Sequence, residues 1–79
     1  MDQQLRKLLA EVFGVRESEI SPDSGKEDVD SWDSLKQMDL VMSLERAYDI
    51  RLEIQDIAAM TTVAAIADVL RGKGVSLED

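Results

Sequence analysis

The chain contains no cysteine and no histidine. Their absence removes disulfides, thiolate chemistry, zinc sites built on sulfur or imidazole, and every catalytic arrangement that needs an imidazole base. Glycine and proline are also scarce, at four and one, while apolar residues make up 44% and charged residues 33%. That balance describes a globular helical domain rather than a disordered chain. No apolar run approaches the roughly 20 residues that span a bilayer, and the first residues lack the charged-then-apolar pattern of a secretory signal. A soluble, unprocessed protein is expected, and the lack of cysteine suits the cytoplasm. At 79 residues a single domain covering 1–79 is expected. A domain of that size buries only about 60–65% of the surface its unfolded chain exposes, which leaves little room for a deep, dry catalytic cavity. The chain is read as a non-enzyme.

What is abundant is negative charge, a net −8, and it is unevenly spread. Residues 17–33 hold seven acids (Glu17, Glu19, Asp23, Glu27, Asp28, Asp30 and Asp33) against Lys26 alone, a local balance of −6. Such a field repels nucleic acid and anionic membrane surfaces and steers proteins with basic patches toward the chain. Neither nucleic acid nor membrane is expected as a partner. Calcium binding by the acidic loop fails on register: counted from Asp23, the position that needs glycine is Asp28 and the closing glutamate position is Ser34. No metal site is expected.

Helical periodicity begins with Leu5, Leu8, Leu9, Val12 and Phe13, an i, i+3, i+4, i+7, i+8 stripe that stops at Gly14, a residue suited to a C-terminal cap. Residues 15–33 lack sustained periodicity and read as a long loop with a short turn near 17–20, anchored in the core by Ile20, Val29 and Trp32. Loops of this length are uncommon in compact domains and are often functional. A second helix is expected over about 34–48, a brief helical turn over 55–59, and a last helix over 62–71 with Val63, Ile66, Ala67 and Leu70 on one face and Gly72 at its end. Ile50, Leu52 and Ile54 alternate with charged residues, but no second strand exists to pair with them, so this stretch reads as a connection. The expected fold is all-α: a four-helix bundle with a long loop between helices one and two, a short third helix, and a loose tail over 73–79.

In the second helix, Leu40, Val41, Leu44, Ala47 and Tyr48 fall within an arc of about 120° and form the expected core face. Leu35, Met38 and Met42 lie almost opposite. A small bundle does not easily bury both faces of one helix, so two readings compete. The second stripe either lies beneath the long loop or the third helix, or it is an exposed docking surface flanked by Asp39 and Glu45 for a partner with an apolar groove and a basic rim. The paired methionines, flexible and polarizable, tip the balance toward docking.

Ser34 opens that helix within the run "DSWDSLKQM", residues 30–38. Taken structurally, Asp33 or Ser34 caps the helix: Ser34 with Gln37 three residues on matches a capping box, and Asp33 adds a favourable charge at the positive end of the helix dipole. As a self-activated nucleophile Ser34 is excluded for want of a base in a domain too small to desolvate one. Any chemistry at Ser34 is performed by another protein.

The longer run "DSWDSLKQMDLVMSLERAYDIRLE" closely resembles the acyl carrier protein family, whose Asp-Ser-Leu at the start of the second helix receives a 4′-phosphopantetheine arm on the serine. Here the trio is Asp33, Ser34 and Leu35. The likeness continues through "LVMSLERAYDI" (40–50) and "TTVAAIADVL" (61–70), so it covers essentially the whole chain. It implies covalent 4′-phosphopantetheine on Ser34, with Asp33 as the adjacent carboxylate that helps position the metal-bound donor. The implied partners are a phosphopantetheinyl transferase, an acyl-loading ligase or acyltransferase, and downstream acyl-processing enzymes, all met by a monomer. Lys36 and Arg46 stand where fatty-acid members are often acidic, and "IQDIAAM" is mostly apolar where the third helix is commonly acidic. With Trp32 before the motif, these departures point to a specialised rather than a primary fatty-acid pathway. A stand-alone peptidyl or aminoacyl carrier is the nearest alternative, although no glycine precedes Ser34 after Lys26. From another class comes an acidic helical interaction module without a prosthetic group, in which Asp-Ser-Leu is only a cap.

Overall fold

In a computed structural model, which describes residues 1–78, the chain forms α1 (Gln3–Phe13), a 3-10 turn (Glu17–Glu19), α2 (Ser34–Tyr48), α3 (Ile54–Ala59) and α4 (Val63–Gly72). The described residues form no β-strand, only an isolated bridge between Gly25 and Thr62. The all-α, four-helix arrangement with a long first loop and a short third helix is as expected.

α1 starts where the Asp2 carboxylate accepts the amide of Leu5 at 2.9 Å, and it stops at Gly14, whose φ of 68° is a left-handed conformation that glycine adopts at no steric cost. Its stripe places Leu5, Leu9 and Phe13 in the core, with Leu8 and Val12 half-buried beside them. α2 contributes Leu40, Val41 and Leu44, and α4 contributes Val63, Ile66 and Leu70, around Met60 from the end of α3. Ala47, expected in this core, is exposed. It stands at the edge of the apolar arc. α2 ends at Asp49, a left-handed non-glycine residue with φ 53°, a conformation that aspartate tolerates better than most.

The long loop is held at both ends and in the middle. Ile20 and Trp32 are buried and Val29 is half-buried, as the sequence suggested. Between them the loop backbone meets the start of α4. The amides of Val63 and Ala64 donate to the carbonyls of Ser24 (2.8 Å) and Pro22 (3.0 Å), and that of Ala65 donates to the Thr62 hydroxyl (3.1 Å). Amides at a helix start have no partner within the helix, so the loop supplies what α4 cannot. Gly25 suits this close crossing, because a Cβ there would stand 3.0 Å from the Thr61 carbonyl oxygen, a tight contact.

The C-terminal segment departs from the loose tail expected over 73–79. Val75 and Leu77 pack against the core, the Val75 amide donates to Leu70 at 3.0 Å, and the Glu78 amide donates to the second carboxylate oxygen of Asp2 at 3.0 Å. Lys73 and the half-buried Asp56 of α3 form an ion pair of 2.8 Å. Two apolar side chains and a ready acceptor give the segment something to bind. Residue 79 of that expected tail lies outside the described residues. Asp2 serves two amide donors, those of Glu78 and Leu5, and its carboxyl is held below the ordinary range as a result.

Candidate functional site

The first turn of α2 is organised by its neighbours rather than by Ser34. Asp33 is extended (φ −111°, ψ −169°) and its carboxylate accepts the amide of Lys36 at 2.9 Å, so Asp33 is the N-cap and Ser34 the first helical residue. The expected capping box of Ser34 with Gln37 does not form. Ser34 is exposed, and among the described residues its hydroxyl has no hydrogen-bond partner. The side chain is thus free on a rigid element, next to a carboxylate.

Rigidity comes from the residues just before it. The Ser31 hydroxyl donates to the Phe13 carbonyl at 2.7 Å, and the rings of Phe13 and Trp32 lie 4.6 Å apart at 32°. These contacts tie the loop's end to the C-terminus of α1. Gln37, 6% exposed, accepts from the Trp32 indole N–H at 2.6 Å and donates to the carbonyls of Ile57 (3.1 Å) and Met60 (3.3 Å). One buried amide therefore joins the loop, α2 and the end of α3, with both of its ends satisfied. Sequence reasoning missed this role. The signal was present: on the helical rotation used above, Gln37 falls at about 200° from Leu35, in the middle of the apolar arc.

Beyond Ser34 the outward face of α2 is apolar. Leu35 is 80% exposed, Met38 52% and Met42 54%, so the stripe lies under neither the loop nor α3. Asp39 is exposed beside it. Glu45 is half-buried and its carboxylate accepts the amide of Leu52 at 2.9 Å, which holds the connection to α3 as well as lending charge to the stripe's edge. Ile54, at the start of α3, is 85% exposed and was not singled out from sequence, where it reads as part of the connection.

Chemically, the arrangement offers a primary hydroxyl to an incoming electrophile and a carboxylate to a cation, with no base to work unaided. A group bearing a phosphodiester fits Ser34. Its charge would sit at the positive end of the α2 dipole, and no contact has to break to admit it. Among the described residues, no group of three or more acids is placed to hold a metal ion, and no helix is long and apolar enough to cross a membrane.

The family model described as phosphopantetheine attachment site matches residues 3–70. Among solved structures, the chain is similar to a holo acyl carrier protein from Geobacter metallireducens, determined by solution NMR. The two share 28% sequence identity over 89% of this chain and 80% of that one, with a TM-score of 0.79.

Proposed function

Since the chain belongs to the acyl carrier protein family, whose members carry covalent 4′-phosphopantetheine and are not enzymes, we propose that Ser34 is the attachment point and that residues 1–79 form one carrier domain. The observation that carries this reading is the exposed, unbonded Ser34 hydroxyl on the first turn of α2, beside Asp33 and inside the matched span. Attachment forms a bond from Ser34 Oγ to the β-phosphorus of coenzyme A and breaks that phosphorus's bond to the bridging pyrophosphate oxygen. Adenosine 3′,5′-bisphosphate leaves, and the hydroxyl proton passes to a base of the transferase. The Asp33 carboxylate helps hold the magnesium-bound donor against the hydroxyl while its other oxygen stays on the Lys36 amide. When attached, the arm supplies a terminal thiol for acyl thioesters, a group that this cysteine-free chain does not otherwise have.

Leu35, Met38 and Met42, with Asp39 and Glu45 at their edge, form the surface that the transferase, a loading ligase or acyltransferase, and later acyl-processing enzymes would meet. The acidic loop steers their basic patches toward it. Lys36 and Arg46 change the charge of this face, and the mostly apolar α3 changes its neighbour. Both favour a specialised pathway over primary fatty-acid synthesis, in the cytoplasm. Intact mass after co-expression with a broad-specificity phosphopantetheinyl transferase tests the core of the reading. The wild-type chain should gain one arm and Ser34→Ala none; an arm mapped to Ser31 or Ser43 would refute it.

A further inference from the structure

We propose, resting on the docking surface described above, that Met38 and Met42 are a paired oxidation site: a peroxide converts their thioethers to sulfoxides, which makes the stripe beside Ser34 polar and weakens docking without unfolding the chain. The chain holds four methionines and no cysteine, so before an arm is attached its only sulfur is thioether and no thiol intercepts the oxidant. The four sulfurs are placed very unequally. Met38 and Met42 are each more than half exposed, whereas Met60 is wholly buried and Met1 is half-buried against the core. Oxidation follows access to the sulfur, so an oxidant in water meets the α2 pair first.

Each sulfur consumes one molecule of hydrogen peroxide. A sulfur lone pair attacks one peroxide oxygen, an S–O bond forms as the O–O bond breaks, the sulfur loses two electrons, and the other oxygen leaves as water with both hydrogens. A thiol-dependent reductase reverses the step: two thiols are oxidised to a disulfide and the sulfoxide oxygen departs as water. The consequence depends on where the sulfur stands. Met38 and Met42 are one turn apart on α2 and share a face with Leu35. In the free chain a sulfoxide there still faces water, so the fold loses little. In a complex the same oxygen enters an apolar contact, where an acceptor without a donor is costly. At Met60 it would instead place a polar atom in the core cluster with Leu40, Leu44 and Ile66. Oxidation of the exposed pair therefore reads out in binding, and oxidation of Met60 in stability.

The test treats apo protein with limiting hydrogen peroxide and removes the oxidant. Peptide mass mapping, Tm and arm uptake from coenzyme A by a broad-specificity phosphopantetheinyl transferase are then measured. Oxygen should appear on Met38 and Met42 before Met60, Tm should stay near that of untreated protein, and the transferase's kcat/KM should fall about 10-fold, the effect of one stranded polar group in an interface. Methionine sulfoxide reductase with a dithiol should restore it. A protein carrying Met38→Leu and Met42→Leu should show the same uptake before and after peroxide, whatever its starting rate; a fall equal to that of wild type would place the effect elsewhere and overturn the proposal. Oxidation of Met60 in step with the pair, or full oxidation of the pair with uptake unchanged, would also overturn it. Met38→Gln with Met42→Gln separates the two levels of inference. If this folded protein takes up the arm slowly while the oxidised wild type does not, only the oxidation site fails; if both take it up at the untreated wild-type rate, the docking surface fails with it.

Discussion

Capping and attachment at the start of α2 should be separable by single substitutions, because the structure puts the cap on Asp33 and the proposed attachment falls on its neighbour Ser34. Asp33 holds the Lys36 amide, and the loss of such a cap costs about 0.5–2 kcal/mol. In a domain of this size, each kcal/mol lowers Tm by about 4–8 °C. Asp33→Ala should therefore melt several degrees lower. Asn caps nearly as well as Asp, so Asp33→Asn gives up only the interaction of the charge with the helix dipole, about 0.3–1 kcal/mol. Ser34→Ala removes a hydroxyl that binds nothing and places the best helix former on the first turn, so its Tm should stay level or rise slightly. Arm uptake should follow a different order. Ser34→Ala should accept none, and Asp33→Asn should lose about 10- to 100-fold in the transferase's kcat/KM, the worth of one charge-assisted contact. Circular-dichroism melts and a mass-based uptake assay on the four proteins read both orders. A Ser34→Ala protein destabilised as much as Asp33→Ala would refute the assignment of the cap, and wild-type uptake by Asp33→Asn would leave its carboxylate with no part in attachment.

Leu44→Ala removes a fully buried side chain and should cost about 2–5 kcal/mol in urea unfolding, a large share of a small domain's stability. Met42→Ala, on the exposed stripe, should cost well under 1 kcal/mol while lowering the transferase's kcat/KM, and equal losses in the two variants would show that the stripe is structural. Gly25→Ala crowds the Thr61 carbonyl and should destabilise by about 1–3 kcal/mol, together with faster hydrogen exchange at Val63 and Ala64; a neutral result would mean that this crossing has room for a methyl group. Asp2 has a folded pKa below its unfolded one, because the amides of Glu78 and Leu5 favour the carboxylate. Its contribution is present above about pH 4 and is lost as pH falls through the folded value. Tm followed from pH 6 to pH 3 should therefore drop less steeply in Asp2→Asn than in wild type, and parallel curves would contradict the latch to Glu78.

The parts of the fold that were legible in sequence are those set by local chemistry. The α1 stripe with Gly14 and the two opposed stripes of α2 depend on spacing, and the loop anchors Ile20 and Trp32 on being apolar among polar neighbours; the structure places them accordingly, Ala47 excepted. At the first turn of α2 the sequence leaves both Asp33 and Ser34 as caps, because Ser34 and Gln37 satisfy the same local pattern whether they cap the helix or not. What decides is the position of the Trp32 indole and of the Ile57 and Met60 carbonyls, up to 23 residues away, and spacing does not encode that. The packed C-terminal segment was missed for the same reason. Val75 and Leu77 are two apolar residues among polar ones, and only the folded core and the Asp2 carboxylate give them and the Glu78 amide somewhere to go.

Trp32 is the only tryptophan in the chain. Buried beside Phe13, with its N–H on Gln37 and its place two residues before Ser34, it is a natural optical reporter for the joint between the loop, α1 and α2. Its ultraviolet emission should be that of a shielded indole and should shift to longer wavelength when water reaches the ring. Any rearrangement that draws Gln37 away from the ring takes away the hydrogen-bond partner that fixes its orientation. Emission can therefore follow the integrity of this joint in the unlabelled protein, even in the presence of other proteins that contain no tryptophan.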